Sequence, residues 1–178
     1  WVSPAQQGFL RGRSMASNIV DVEATAQRYA LQHPRAGILL FDFKAAFPSI
    51  SHDFLHAMLG TLGVPPEVQL AVRNLYDQHS CQLRFGGGSF AGFDIGAGIR
   101  QGCPLSPLIF AVVVDILLRR LLRLNPGSVV RAFADDIAIV VPDVDAALPT
   151  LAGIFRELEL LLNFVAHWSQ HIRSAPQL

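Results

Sequence analysis

Lysine is nearly absent from this chain: of 14 cationic residues only Lys44 is a lysine, and the rest are arginine. That bias favours planar and phosphate recognition, the tasks to which a guanidinium fork is suited. Cysteine is also scarce. Cys81 and Cys103 are too few and too far apart for a disulfide framework or a metal knuckle, and read as small buried hydrophobes in a reducing compartment. No long hydrophobic run exists: the longest, Leu108 to Val114, stops at Asp115, far short of the roughly 20 residues of a membrane span. None of the six histidines is assigned to metal or catalysis. Repeats, low-complexity tracts and a charged cleavable leader are missing as well, and the first residue is Trp1, which predicts a chain that begins mid-protein.

What is present fits a folded domain. Hydrophobic residues make up 51% and charged residues 16% of 178 positions, which excludes a disordered chain and allows a sizeable core. Net charge is zero, yet its distribution is uneven. Residues 1 to 134 carry 12 cations and 8 acids, whereas residues 135 to 159 carry 6 acids and 1 cation. A basic part joined to an acidic part suits a groove for phosphate backbone beside a site for metal.

The sequence predicts the following elements. Trp1 to Gly12 reads as loop. A helix capped by Ser14 or Ser17 runs to Gln32 and stops before His33-Pro34. Ala36 to Phe41 is a short apolar run, the pattern of a buried strand. Helices follow over Ser51 to Leu62 and Pro65 to Tyr76, then a hairpin of Gln82 to Phe85 and Phe90 to Ile95 around the triple glycine. Pro104 to Leu124 has helical length. Ser128 to Ala134 and Ile137 to Val141 form a second hairpin with Asp135-Asp136 between them, and a helix starts near Asp143. This order implies an α+β fold, an antiparallel sheet with helices packed on one face.

Asp135-Asp136 is the chemical anomaly, because adjacent carboxylates flanked by apolar strands repel each other and resist desolvation. Asp42 ends an apolar strand, a position that disfavours Asp. Strands lying side by side bring Asp42 and Asp135 together, and such a carboxylate group is a hard-oxygen site for Mg²⁺. Two such ions clamp the attacking and leaving oxygens of a phosphoryl transfer.

LFDFKAAFPSI (Leu40 to Ile50), GIRQGCPLSPLIF (Gly98 to Phe110) and FADD (Phe133 to Asp136) resemble palm motifs A, B and C of reverse transcriptases, in the family's order. QQGFLRGRS (Gln6 to Ser14) is similar to the segment just upstream of the palm in the non-LTR retrotransposon branch. The resemblance implies a palm-type sheet at 36–142, partial fingers at 1–35, and a truncated or divergent helical segment at 143–178, with no thumb. It implies that Asp42 and Asp135 ligate two Mg²⁺ ions (Mn²⁺ as a substitute), with Asp136 nearby and the Phe43 carbonyl touching a metal. Phe47 would be the aromatic gate against a 2′-OH. Arg100, Gln101 and Gly102 would lie along the incoming dNTP and template, and Arg13 and Arg11 would face template backbone. Implied partners are an RNA template, a DNA primer and dNTPs, inside the cell and away from membranes. The missing thumb, with an endonuclease as a further candidate domain, would belong to a longer polyprotein.

Two departures stand out. Pro48 replaces the acid that usually follows the gate aromatic, and Leu158 to Leu178 holds no lysine and no glycine where the family has a glycine and a lysine-bearing motif. Two further readings therefore stay open: an inactive retroelement remnant that at most grips nucleic acid, and another palm polymerase. Bulky Phe47 argues against a ribonucleotide polymerase.

Overall fold

Ser14 starts the first helix as the sequence predicts. In the computed structural model, which describes residues 2–43, 45–77, 80–162 and 173–174, its hydroxyl accepts from Ala16 N–H and α1 runs Met15–Gln32. β1 (Gly37–Phe41) follows, then a 3₁₀ turn at Phe47–Ser49. Ser51 caps α2 (His52–Thr61) through Phe54 N–H, and prolines open α3 (Pro66–Tyr76). β2 (Ser80–Phe85) and β3 (Gly88–Asp94) form a hairpin across Gly86-Gly87, both at positive φ (58° and 81°). A two-residue hairpin loop with this backbone needs glycine-like freedom at both positions. Then come α4 (Ser106–Leu124), β4 (Val129–Phe133), β5 (Asp136–Val141) and α5 (Val144–Leu162). A short strand, β6 (Arg173–Ser174), lies outside the predicted elements.

The main sheet is antiparallel in the order β4-β5-β1-β6, with Phe41 opposite Ile137 and Phe133 opposite Asp136. The chain is α+β, as its element order predicts. Strand periodicity puts Leu39, Val130, Ile137 and Ile139 on one face, all buried. Helices α4 and α5 cover that face, contributing Phe110, Leu117, Leu118 and Leu121 from the first and Leu151 and Phe155 from the second. Phe41 stacks on Phe155 with centroids 4.4 Å apart. Among the described residues no helix is long and apolar enough to cross a membrane.

Three expectations are corrected. The loop of the second hairpin is Ala134-Asp135, not Asp135-Asp136, so Asp136 opens β5 and pairs with Phe133. Ala134 adopts φ 57° at the first loop position, and that shifts the turn by one residue. The N-terminal loop is partly strand-like: Ala132 N–H donates to Ala5 O (2.7 Å) and Ala132 O accepts from Gln7 N–H (2.8 Å), which covers the free edge of β4. Ser3 N–H also donates to buried Asp115 of α4 (2.7 Å). Finally, Cys81 and Cys103 are half-buried free thiols instead of buried ones. Residue 44 and the ends of the predicted 143–178 segment, 163–172 and 175–178, lie outside the described residues.

Candidate active site

Carboxylates gather at one end of the sheet because of strand register. Phe41 faces Ile137, so Asp42, just past β1, and Asp136, which opens β5, lie at the same end of the sheet, and Asp136 feels the charge of Asp42. Asp135 sits in the adjoining turn. Strand alternation puts Asp136 on the side that also carries Leu40 and Ala138, away from α4 and α5. The carboxylate end of that side is open, with Leu40, Asp42 and Asp136 exposed and Asp135 half-buried. Further along the same side α1 packs on the sheet, where Arg131 pairs with Asp21 and Val140 is fully buried. The Asp136 carboxyl is held above the ordinary range, first by partial burial and then by the negative charges of Asp135 and Asp42.

The donor set fits a hard cation. It is all oxygen and acidic, and among the described residues none of the three carboxylates has an ion-pair partner. No cluster of three or more His, Cys, Asp or Glu side chains forms a metal cage among those residues. Mg²⁺ asks for less: one or two carboxylates, with water and substrate phosphates completing its shell.

A second group of predicted residues meets in one cavity. Phe47, Arg100, Gln101 and Gly102 line an open cavity of about 450 Å³, together with Cys103 and Ser106. Backbone bonds explain the meeting: Gly98 N–H donates to Ile50 O (2.8 Å) and Ile99 N–H to Phe47 O (2.8 Å). Gly98 has φ 100°, and a Cβ there would lie 3.0 Å from Pro48 O, so close approach and backbone conformation both require glycine. Half-buried Phe47 stacks on fully buried Phe110, centroids 4.4 Å apart and 7° from parallel. Phe43 differs: its side chain is buried against Phe155, which leaves only its backbone toward the carboxylates. The Cys103 thiol is pulled below its ordinary range, mainly by its hydrogen bond to the Leu105 backbone.

Arg13 does not face outward as expected. Its Nη1 donates to Ser3 O (2.6 Å) and Gln6 O, and its Nη2 to Val2 O (3.0 Å). Three of its donors thus tie the N-terminal loop together, a local demand that competes with phosphate binding. Arg11 is exposed beside it.

The QQGF stretch contributes three residues to which the sequence alone assigns no role. Fully buried Gln6 grips Ala134: its Oε1 accepts from Ala134 N–H (2.9 Å) and Gly8 N–H (2.8 Å), and its Nε2 donates to Ala134 O (3.0 Å). A left-handed alanine costs about 1–2 kcal/mol, and hydrogen bonds of about 1 kcal/mol each offset it. A Cβ on Gly8 would lie 2.3 Å from Ala134 N. Phe9, at φ 63°, meets Phe47 edge-on at 6.0 Å. One loop therefore touches both the carboxylate turn and the Phe47 cavity. Its legible signal is a glutamine and a glycine set among apolar residues, but the contact partner lies 128 residues away.

Known proteins resemble this chain in sequence and in fold. Residues 1–173 match the family described as reverse transcriptase (RNA-dependent DNA polymerase). The Pol polyprotein of the type-1 retrotransposable element R2 from Popillia japonica is 31% identical over 90% of this chain and 24% of its own length. That of the type-2 element R2DM from Drosophila melanogaster is 33% identical over 76% of this chain and 13% of its own. The chain thus spans about a quarter or less of these relatives. In fold it is similar to apo telomerase from Candida tropicalis truncated from its C-terminal domain, with a TM-score of 0.72 at 11% identity, covering 98% of this chain and 37% of that one. The chain belongs to the reverse transcriptase (RNA-dependent DNA polymerase) family, in the non-LTR retrotransposon branch.

Proposed function

We propose that this chain carries the nucleotidyl-transfer site of an RNA-directed DNA polymerase, in which a primer 3′-OH is joined to the α-phosphate of a dNTP. The observation that carries this reading is the gathering of Asp42, Asp135 and Asp136 at one end of the β1–β5 pair, where Asp42 and Asp135 both raise the Asp136 carboxyl. Asp42 and Asp135 would hold two Mg²⁺ ions, or Mn²⁺ in their place, with Asp136 adjacent and the Phe43 carbonyl as a further oxygen donor. When bound, the ions supply Lewis acidity and charge neutralisation for in-line phosphoryl transfer.

The chain's own residues do the positioning. Phe47, braced by Phe110 and by the edge of Phe9, forms a wall that excludes a 2′-OH by clash. Gln101 and Gly102 border the cavity where the nucleotide and template base would lie, and exposed Arg100 offers charge to phosphate. In this reading residues 36–142 are the palm, 1–35 partial fingers and 143–178 a divergent C-terminal segment that holds α5 and β6. RNA template, DNA primer and dNTP would be the partners, inside the cell, with thumb and accessory domains supplied by a longer polyprotein. Primer extension on an RNA template tests the reading. Nucleic-acid binding without extension would favour an inactive remnant.

A further inference from the structure

We propose that Gln6 is a positioning residue for Asp135, acting through Ala134, and that the strength of cation binding at the carboxylates depends on it. The inference rests on the reading of Asp42 and Asp135 as metal-binding carboxylates. Ala134 and Asp135 are the two residues of the β4–β5 turn, outside the ladder that ends at Phe133 and Asp136. Within the sheet, Ala134 N–H and C=O therefore have no ladder partner. Gln6 supplies both, through one planar amide whose oxygen faces two N–H donors and whose nitrogen faces one carbonyl. The side chain is fully buried, so water does not compete for these bonds.

The amide is itself held in place. Ala5 O and Gln7 N–H, on either side of Gln6, both bond Ala132 of β4. Gly8 abuts the turn so closely that a side chain there would overlap the Ala134 nitrogen. Gln6 and Gly8 fix the left-handed backbone of Ala134, and the peptide that leaves Ala134 sets where the Asp135 carboxylate points. Outer-shell groups that orient a metal-binding carboxylate typically change metal affinity or activity by about 10–100-fold when removed.

The test measures binding of Mn²⁺ alone to the purified chain, by electron paramagnetic resonance, for wild type, Gln6→Met, Gly8→Ala and Asp135→Asn, with melting curves. Gln6→Met keeps side-chain length and removes all three bonds. Expected is about 10-fold weaker Mn²⁺ binding in Gln6→Met and Gly8→Ala. In extension assays kcat should fall while KM for dNTP stays within about 2-fold. A purely structural role would lower the melting temperature and leave Mn²⁺ affinity of the folded fraction unchanged, which would overturn the proposal. Equal Mn²⁺ binding by wild type and Asp135→Asn would instead overturn the metal-site reading. Should both loop variants fail to fold, amide exchange in wild type decides: Ala134 N–H should be as protected as the β5 ladder, and exchange at open-loop rates would refute the clamp.

Discussion

Phe47 lies flat on Phe110, 7° from parallel at 4.4 Å, with Phe110 fully buried in α4. A gate needs such backing, since an unsupported ring rotates away from an added hydroxyl. Phe47→Ala is predicted to lower the preference for dNTP over the matching rNTP by at least about 10-fold, the scale of a lost steric contact. Competition between the two nucleotides in primer extension measures it. Unchanged sugar selection would remove Phe47 from the gate role.

Phe155 supports the carboxylates from below, stacked on Phe41 one residue before Asp42 and tilted against Phe43 one residue after it. Phe155→Ala should cost about 3–5 kcal/mol, the range for truncating a buried aromatic. Denaturant unfolding of the purified chain checks the magnitude. A loss below about 1 kcal/mol would mean that β1 is held mainly by its strand partners.

Asp136 predicts a pH effect on stability. Its carboxyl titrates above the ordinary value because of partial burial and of Asp135 and Asp42. The folded state therefore holds its proton more tightly than the unfolded state, and stability falls as pH rises from the unfolded value through the raised one. Asp136→Asn removes this loss. The variant should melt higher than wild type at neutral pH, with the gain vanishing below the ordinary carboxylate range. A gain that persisted in acid would contradict burial and charge repulsion as its cause.

The arginines separate by role. Arg13→Ala should lower stability, because three backbone carbonyls lose their donor, and leave the salt dependence of nucleic-acid binding unchanged. Arg100→Ala should reduce the slope of log affinity against log salt by about 1. Fluorescence anisotropy with an RNA–DNA hybrid at several salt concentrations distinguishes them.

Local chemistry explains which features are legible in the sequence. Ser14 and Ser51 set helix starts by capping and Pro66 by its fixed backbone at the first helical position, and apolar runs mark β1, β4 and β5. Asp42 and Asp135–Asp136 stand out because carboxylates at the ends of apolar strands oppose propensity and burial. The turn falls one residue from its expected place because alanine gives no warning of a left-handed backbone, which at Ala134 depends on Gln6. Arg13 departs from expectation for a related reason: a guanidinium suits phosphate and carbonyl alike, and only folding brings Ser3 and Gln6 to it. Side-chain clamps across 128 residues leave no periodic trace.

Primer extension on a defined RNA template with Mg²⁺ and dNTPs, wild type beside Asp135→Asn, tests the central claim most directly. The wild-type chain is predicted to extend the primer, and Asp135→Asn to lose activity by more than about 100-fold, the scale expected when electrostatic stabilisation of the transition state is removed. Equal extension by both would contradict the assignment of Asp135, and extension by neither would contradict catalysis by this chain.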